Sequence, residues 1–310
     1  MIHVSIGTAN VLGLKQIKTD ANPTTAYFMT PGKCFFDCAY CSRAKTSPDS
    51  DRLSRVIWPG WSENRVFKSL VNAHRQGILK RACIQVVNNE NSFDDTVRYV
   101  EKIKRYSSIP ISVSIRTKNM EFVKRLLDTG VDRVCLPVDI VDEKLHQEYR
   151  FGLLKETLDF IELAAKEYPG RISTHIIVGL GESERQVVSL LNRFHDLNVT
   201  VGLFAFTPVK GTKLVERKQP PLSKYRRMQI AHYLIKNDIK QDFEYNSEGE
   251  IVRFDIPKEK LTGSVFQTTG CPDCNRPYYN ETPGGIIYNY PFPLTEERFE
   301  SVLSEVKPNS

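Results

Sequence analysis

Short apolar runs rich in β-branched residues alternate along this chain with longer stretches whose apolar residues recur every three to four positions. TAYFM (Thr25 to Met29) reads as a strand. SENRVFKSLVNAHRQG reads as a helix, with Ser62 as its N-cap and Gly77 as its stop. The pattern then repeats. ACIQVV (Ala82 to Val87), ISVSIR (Ile111 to Arg116), RVCLPVD (Arg133 to Asp139), RISTHIIVG (Arg171 to Gly179) and VGLFAFTPV (Val201 to Val209) read as strands. The helices between and after them are SFDDTVRYVEKIKRY, NMEFVKRLLDTG, LLKETLDFIELAAKEY, SERQVVSLLNRFHDL and SKYRRMQIAHYLIKN. Strand and helix alternate about six times with short connections, which implies parallel strands and right-handed crossovers. So many units favour an α/β fold built as a partial or complete parallel (β/α) barrel. A doubly wound sheet is disfavoured, since no G-x-G-x-x-G follows the first strand. Past Gly249 the rhythm changes: IVRFDI and GSVFQTTG read as strands, CPDCNRPYYNETPGG as a loop and TEERFESVLSEV as a helix. No linker or internal repeat is visible, so residues 1–310 read as one domain, with a core barrel over about 20–245 and a C-terminal extension over about 246–310.

Composition narrows the class. Hydrophobic residues make up 40% and charged residues 26% of the chain, as in ordinary globular proteins. No run of eighteen apolar residues suggests a membrane span, and the opening MIHVSIGTANVLGLKQ lacks the basic-then-apolar order of a secretory leader. A cytoplasmic, reducing setting is expected, where clustered cysteines are metal ligands more often than disulfides. The net charge of +6 is not gathered into a tract, and no nucleic-acid-binding module accompanies it. The densest basic stretch, ERKQPPLSKYRR (Glu216 to Arg227), reads either as a solvated helix start or as a landing surface for an acidic partner.

Three of the seven cysteines fall in KCFFDCAYCSR as C-x3-C-x2-C: Cys34, Cys38 and Cys41. Three is an odd number and the spacing is too tight for convenient disulfide pairing. Zinc sites present paired knuckles with two further ligands. Three thiolates suit an iron–sulfur cluster that keeps one iron open. In a barrel the loops after the strands build the active face, and these cysteines follow the first strand.

C-x3-C-x2-C with Tyr40 just before the last cysteine resembles the radical SAM superfamily. The resemblance implies that Cys34, Cys38 and Cys41 hold a 4Fe–4S cluster. S-adenosylmethionine would chelate its open iron, and an electron from the cluster would yield a deoxyadenosyl radical that abstracts hydrogen from carbon. The resemblance also assigns cofactor contacts. Asn88-Asn89-Glu90 stands where the superfamily has Gly-Gly-Glu, so Asn89 and Glu90 fall beside the cofactor's amino group, although the glycines are gone. HIIVGLGE matches G-x-I-x-G-x-x-E with His175 in place of the first glycine, which puts the Ile176 to Gly179 strand, with Ile177 and Gly179, beside the adenine. Asp139 stands where relatives place a carboxylate on the ribose.

Within the superfamily the stretch from Thr25 to Asn237 is most similar to the biotin synthase group, including the Val209-Lys210-Gly211-Thr212 turn. That group's sacrificial cluster uses three strand cysteines and an arginine. Cys83 fits one position, but Ser112 and Ser173 stand at the other two. The chain instead carries Cys271 and Cys274 as C-x2-C near its end. A redox pair usually opens a helix, whereas Pro272 and Pro277 frame this one. Half a zinc site would need two more ligands, and the six histidines form no H-x3-H pair. Ligands of a second, auxiliary iron–sulfur cluster is the reading favoured here, completed by Cys135 or Cys83, with Arg276 an unusual ligand or an ion-pair partner.

A biotin-synthase-like barrel with this tail resembles the two-protein lipoyl synthases. The implied reaction is insertion of sulfur at C6 or C8 of an octanoyl chain on a lipoyl carrier domain or glycine-cleavage H-type protein. The implied partners are a second homologous radical SAM protein and an electron donor such as ferredoxin or flavodoxin, with no nucleic acid or membrane. Biotin synthase, or another small-molecule sulfur-inserting enzyme, is the alternative; a cluster-binding partner without catalysis is the third.

Overall fold

The structure, a computed structural model, describes residues 1–48, 51–253, 258–282 and 284–306. The chain opens with β1 (Ile2–Val4), α1 (Ile6–Val11) and β2 (Thr25–Met29), followed by the short strands β3 (Arg52–Leu53), β4 (Val56–Ile57) and β5 (Gly60–Trp61). The repeating part is α2 (Glu63–Arg75), β6 (Arg81–Gln85), α3 (Ser92–Tyr106), β7 (Ile111–Ser114), α4 (Met120–Asp128) and β8 (Arg133–Cys135). It continues through α5 (Glu143–Tyr149), α6 (Leu154–Glu167), β9 (Ile172–Val178), α7 (Glu184–Asp196), β10 (Thr200–Ala205) and α8 (Leu222–Lys236). A hairpin of β11 (Glu244–Tyr245) and β12 (Ile251–Arg253) and the helix α9 (Glu296–Leu303) complete it.

The main sheet runs β10-β9-β8-β7-β6-β2-β1-β5. The six strands from β10 to β2 are parallel, and β1 pairs antiparallel with both β2 and β5. β10 ends the sheet, so the barrel is partial. Strand alternation sorts the side chains. Phe28, Ile84, Val113, Val134, Ile176 and Leu203 face the helices and join one large core. The intervening Tyr27, Cys83, Ser112, Cys135, His175 and Phe204 face the hollow.

Local chemistry explains the helix limits. Ser183 and Gln186 form a capping box on α7, and Gly77 and Gly130 take positive φ just past α2 and α4. Ser62 precedes α2, but its side chain makes no capping bond.

Two expectations need correction. GSVFQTTG is not a strand: Gly263–Phe266 is a 3-10 turn, with Val265 and Phe266 buried against Ile230, Leu234 and Phe299. The other strand expected here, IVRFDI, is a strand over Ile251–Arg253; its last three residues lie outside the described residues. The helical end of the basic stretch is not a solvated face either, although Glu216 and Lys218 before it are exposed. Arg226 and Arg227 are 0% and 1% exposed. Arg227 forks onto Glu184, with Nη2 2.6 Å and Nε 2.9 Å from Oε1. Arg226 donates to the carbonyls of Ile287 and Tyr288 at 2.6 and 2.7 Å and to Glu305 at 3.1 Å. Lys224 donates to the Glu182 carbonyl at 2.8 Å. These cations clamp the C-terminal extension and β12 onto the barrel.

Candidate active site

The cysteine loop leaves β2 and is pinned on three sides. Phe35 N donates to Asn88 O at 2.8 Å, Ala39 N to Tyr149 O at 2.7 Å, and Leu214 N to Ala39 O at 3.2 Å. Gly32 sits at φ +95°, where a Cβ would fall 2.6 Å from Asn89 Nδ2, so the close approach requires glycine. Cys34, Cys38 and Cys41 are all half-buried. Arg116 Nη1 lies 3.5 Å from Cys38 Sγ, and Arg43 N donates to Cys41 Sγ at 3.3 Å. Burial raises the Cys38 thiol, opposed by the charges of Arg150 and Arg116. Burial likewise pushes the Cys41 thiol up to about 12. Half-buried thiols, two of them met by an N–H donor, are suited to a cationic iron centre, whose charge would offset the cost of the thiolate. Among the described residues no three His, Cys, Asp or Glu side chains converge as ligands of a single metal ion.

Asp139 follows β8 in left-handed backbone, φ +59°, bridged to Ile176 of β9. Tyr40 OH at 2.7 Å and Arg150 Nε at 3.1 Å both donate to its Oδ2. Tyr40, Cys41, Asp139 and Ile177 thus share the rim of one cavity of about 240 Å³. Gly179 (φ +108°) serves the backbone: its N–H donates to Glu182 Oε1 at 2.7 Å, and a Cβ there would meet the Pro220 ring at 2.7 Å. Asn89 and Glu90 are placed elsewhere. The Asn89 amide donates to Pro31 O at 2.9 Å, while exposed Glu90 lines a surface hollow beside Phe35 and Asp95. Sequence reasoning missed Arg116 and Arg150, because nothing in their local patterns ties them to the cysteine loop.

Deeper in the same cavity lie four more thiols: Cys83, Cys135, Cys271 and Cys274. The C-terminal loop brings the last two across the gap between β10 and β2. On one side Leu203 N donates to Thr269 Oγ1 at 2.8 Å, and Gly202 leaves room for Gly270, whose Cα would lie 3.7 Å from a Cβ. On the other, Thr24 and Thr25 hydroxyls donate to Asp273 O at 2.6 and 2.9 Å. Arg81 holds the middle: its Nε reaches Pro272 O at 2.9 Å and its Nη1 reaches Ser112 Oγ at 3.0 Å. Tyr27 OH accepts from Arg276 N at 3.0 Å and lies 3.4 Å from Cys274 Sγ. Cys271 Sγ is 3.8 Å from Ser173 Oγ, Gln85 Nε2 donates to Cys83 Sγ at 3.1 Å, and Cys135 Sγ is 3.4 Å from His175 Nε2. Burial holds His175 down at about 4, so it is neutral at ordinary pH. Burial raises the thiols of Cys83, Cys135 and Cys274. Arg276 stacks its guanidinium 3.7 Å over Phe204 and donates to Thr269 O at 2.7 Å.

The family model for the radical SAM superfamily matches residues 29–194, from the end of β2 through the cysteine loop to α7. The chain belongs to the radical SAM superfamily. With that family comes a cofactor system of an iron–sulfur cluster and S-adenosylmethionine. A biotin synthase of Persephonella marina is 24% identical over 195 residues, 61% of this chain and 55% of that one. The chain spans about half the length of the curated relatives it matches. Among solved structures, a maturase of the FeFe-hydrogenase, HydG, superposes with a TM-score of 0.56 at 14% identity over 70% of this chain and 50% of that one. Methylornithine synthase, PylB, superposes with 0.54 at 14% identity over 70% and 63%. These last two likenesses concern the fold. No helix among the described residues is long and apolar enough to cross a membrane.

Proposed function

We propose that this radical SAM enzyme inserts sulfur into an unactivated C–H bond. The observation that carries the reading is the second thiol set: Cys83, Cys271 and Cys274, with Cys135 beside them, in the cavity whose rim holds Tyr40, Cys41 and Asp139. Cys34, Cys38 and Cys41 would hold the 4Fe–4S cluster, and the deeper set an auxiliary cluster. Bound together with S-adenosylmethionine, these groups supply the radical and the sulfur. The chain's own residues have other tasks. Tyr40 and Arg150 fix the Asp139 carboxylate toward the cofactor's hydroxyls. Arg81 and Tyr27 hold the C-terminal loop in place, and Phe204, Tyr279 and Trp58 keep the cavity apolar. No side chain need act as an acid or base.

The biotin synthases among the relatives support a small-molecule form of this reading. One observation favours the second form, an octanoyl chain on a carrier protein. Ser112 and Ser173 take the places of the matched strand cysteines, and a C-terminal loop supplies thiols there instead. In that form the protein works in the cytoplasm with a homologous radical SAM partner and is reduced by ferredoxin or flavodoxin. Mass spectrometry decides between them: anaerobic reactions with an octanoylated carrier peptide and with the desulfurised precursor of biotin, each with and without the partner. Gain of sulfur mass on either substrate supports insertion and names the form. Cofactor cleavage with no sulfur gained on either overturns it.

A further inference from the structure

Arg116 is a half-buried cation beside the cysteine loop, and no carboxylate pairs with it among the described residues. It lies two residues past the end of β7 and reaches across to the connection between α5 and α6. There Nη1 donates to Arg150 O at 2.9 Å and Nη2 to Phe151 O at 2.7 Å. A guanidinium is a rigid planar fork, so these two carbonyls fix its plane. The second hydrogen on Nη1 is left for Cys38 Sγ, 3.5 Å away. The carbon Cζ lies 3.9 Å from the centre of the Phe36 ring, which covers one face of the cation. The neighbouring charges are already matched. Arg150 pairs with Asp139 at 3.1 Å, Lys213 with Asp37 at 2.6 Å, and Lys118 with Glu156. Lys33 and Lys45 are exposed, where water screens them. Asp139, Arg150 and Arg116 together therefore leave one positive charge over, and it stands next to Cys38. Burial and the Arg150 charge pull the Arg116 guanidinium down from its usual range, so an anion set against it would relieve a cost.

Thiolates around an iron–sulfur core make an anion, and its one-electron reduction adds a further negative charge. Net charge and hydrogen bonds to the sulfurs set the potential of such clusters. We infer that Arg116 sets the reduction potential of the cluster assigned to Cys34, Cys38 and Cys41, as a fixed counter-charge acting through Cys38. It is a positioning residue and not a ligand. Its charge and its N–H favour the reduced, more negative state, so the cluster accepts an electron more readily from an external low-potential reductant. No bond forms or breaks at Arg116. The inference rests on membership of the superfamily and is independent of sulfur insertion.

The test uses the full chain with Cys271→Ala and Cys274→Ala, reconstituted anaerobically, so that the first cluster alone is read. Electron paramagnetic resonance at a series of fixed potentials gives its midpoint. Arg116→Met and Arg116→Gln, which remove the charge, should each lower the reduced-to-oxidised ratio at a given potential about tenfold. That is about 59 mV for a one-electron couple, on the scale of one nearby charge partly screened by water. Arg116→Lys keeps the charge and loses the fork, and should recover more than half of the shift. Iron content should stay level in all three, whereas a merely structural role would lower it and leave the midpoint of the remaining cluster alone. An unchanged midpoint in whichever neutral variant holds its iron overturns the inference. Loss of iron from both neutral variants also overturns it, by making Arg116 a residue that retains the cluster. An unchanged midpoint with weaker binding of S-adenosylmethionine in equilibrium dialysis assigns Arg116 to the cofactor instead. A lowered midpoint supports the inference even if the enzyme inserts no sulfur into any substrate.

Discussion

Cys271 Sγ stands 3.8 Å from the hydroxyl of Ser173. A thiol from the C-terminal loop has thereby been set beside a strand position that the biotin synthase pattern fills with its own cysteine. On the proposed reading these thiols complete a second donor set from another part of the chain, and the first expectation follows from that. Anaerobically reconstituted protein should carry about eight irons per chain, and Cys271→Ala or Cys274→Ala about four. The Cys34/Cys38/Cys41→Ala triple variant should also keep about four and lose all cleavage of S-adenosylmethionine. Iron and sulfide analysis of the four proteins checks this, and a wild-type plateau at four removes the auxiliary cluster.

Asp139 receives both of its hydrogen bonds on one oxygen, from Tyr40 and Arg150. Asp139→Asn should weaken binding of S-adenosylmethionine by about tenfold, roughly 1.4 kcal/mol, with iron content unchanged. Tyr40→Phe should cost less, since Arg150 still orients the carboxylate. Equilibrium dialysis against the labelled cofactor measures both, and unchanged affinity in Asp139→Asn would take the carboxylate out of the cofactor site.

Arg227 and Glu184 form a buried pair, 1% and 0% exposed. Removing only the cation in Arg227→Met leaves an uncompensated buried carboxylate and should cost about 3–5 kcal/mol. Arg227→Met with Glu184→Leu should recover most of that loss. Urea unfolding of both proteins tests it, and a single variant within 1 kcal/mol of the wild type would return these side chains to a solvated role.

His232 of α8 is buried beside Lys236 and His195, and burial above all holds its imidazole down at about 3. Below pH 6.5 an unfolded histidine takes up a proton that the folded one refuses, so unfolding is favoured as acid is added. Stability should fall by about 1.4 kcal/mol per pH unit from 6.5 toward 3 through this group, with no contribution above 6.5. His232→Gln should remove that share of the slope in denaturant melts across pH 7 to 5.

Much of the barrel was legible in the chain because each strand is short and β-branched and each long helix carries an apolar stripe. The helix SFDDTVRYVEKIKRY forms over just that span, Ser92–Tyr106. α5 escaped notice because of its seven residues only His146 is buried, leaving no stripe to read. GSVFQTTG misled for the opposite reason: Val265, Phe266 and the two threonines favour a strand, but Gly263 lies against Leu294 and the segment coils instead. The charges of Arg226 and Arg227 pointed outward in the sequence because their partners, Glu184, Ile287 and Glu305, are far away in it. The cysteine loop was readable as a local spacing. The meeting of Cys83 with Cys271 and Cys274 was readable only as one of two alternatives through the family resemblance, since nearly the whole barrel lies between them.

That last separation orders events during synthesis. The ribosome releases Cys34, Cys38 and Cys41 with the first strands, whereas Cys271 and Cys274 emerge only after the sixth parallel strand and the helix that follows it. Until the C-terminal segment is clamped by Arg226 and threaded between β10 and β2, the hollow stands open on that side. Domains fold as units once their chain is complete, so the cavity is closed around the deeper thiols only when that last segment has been made and packed.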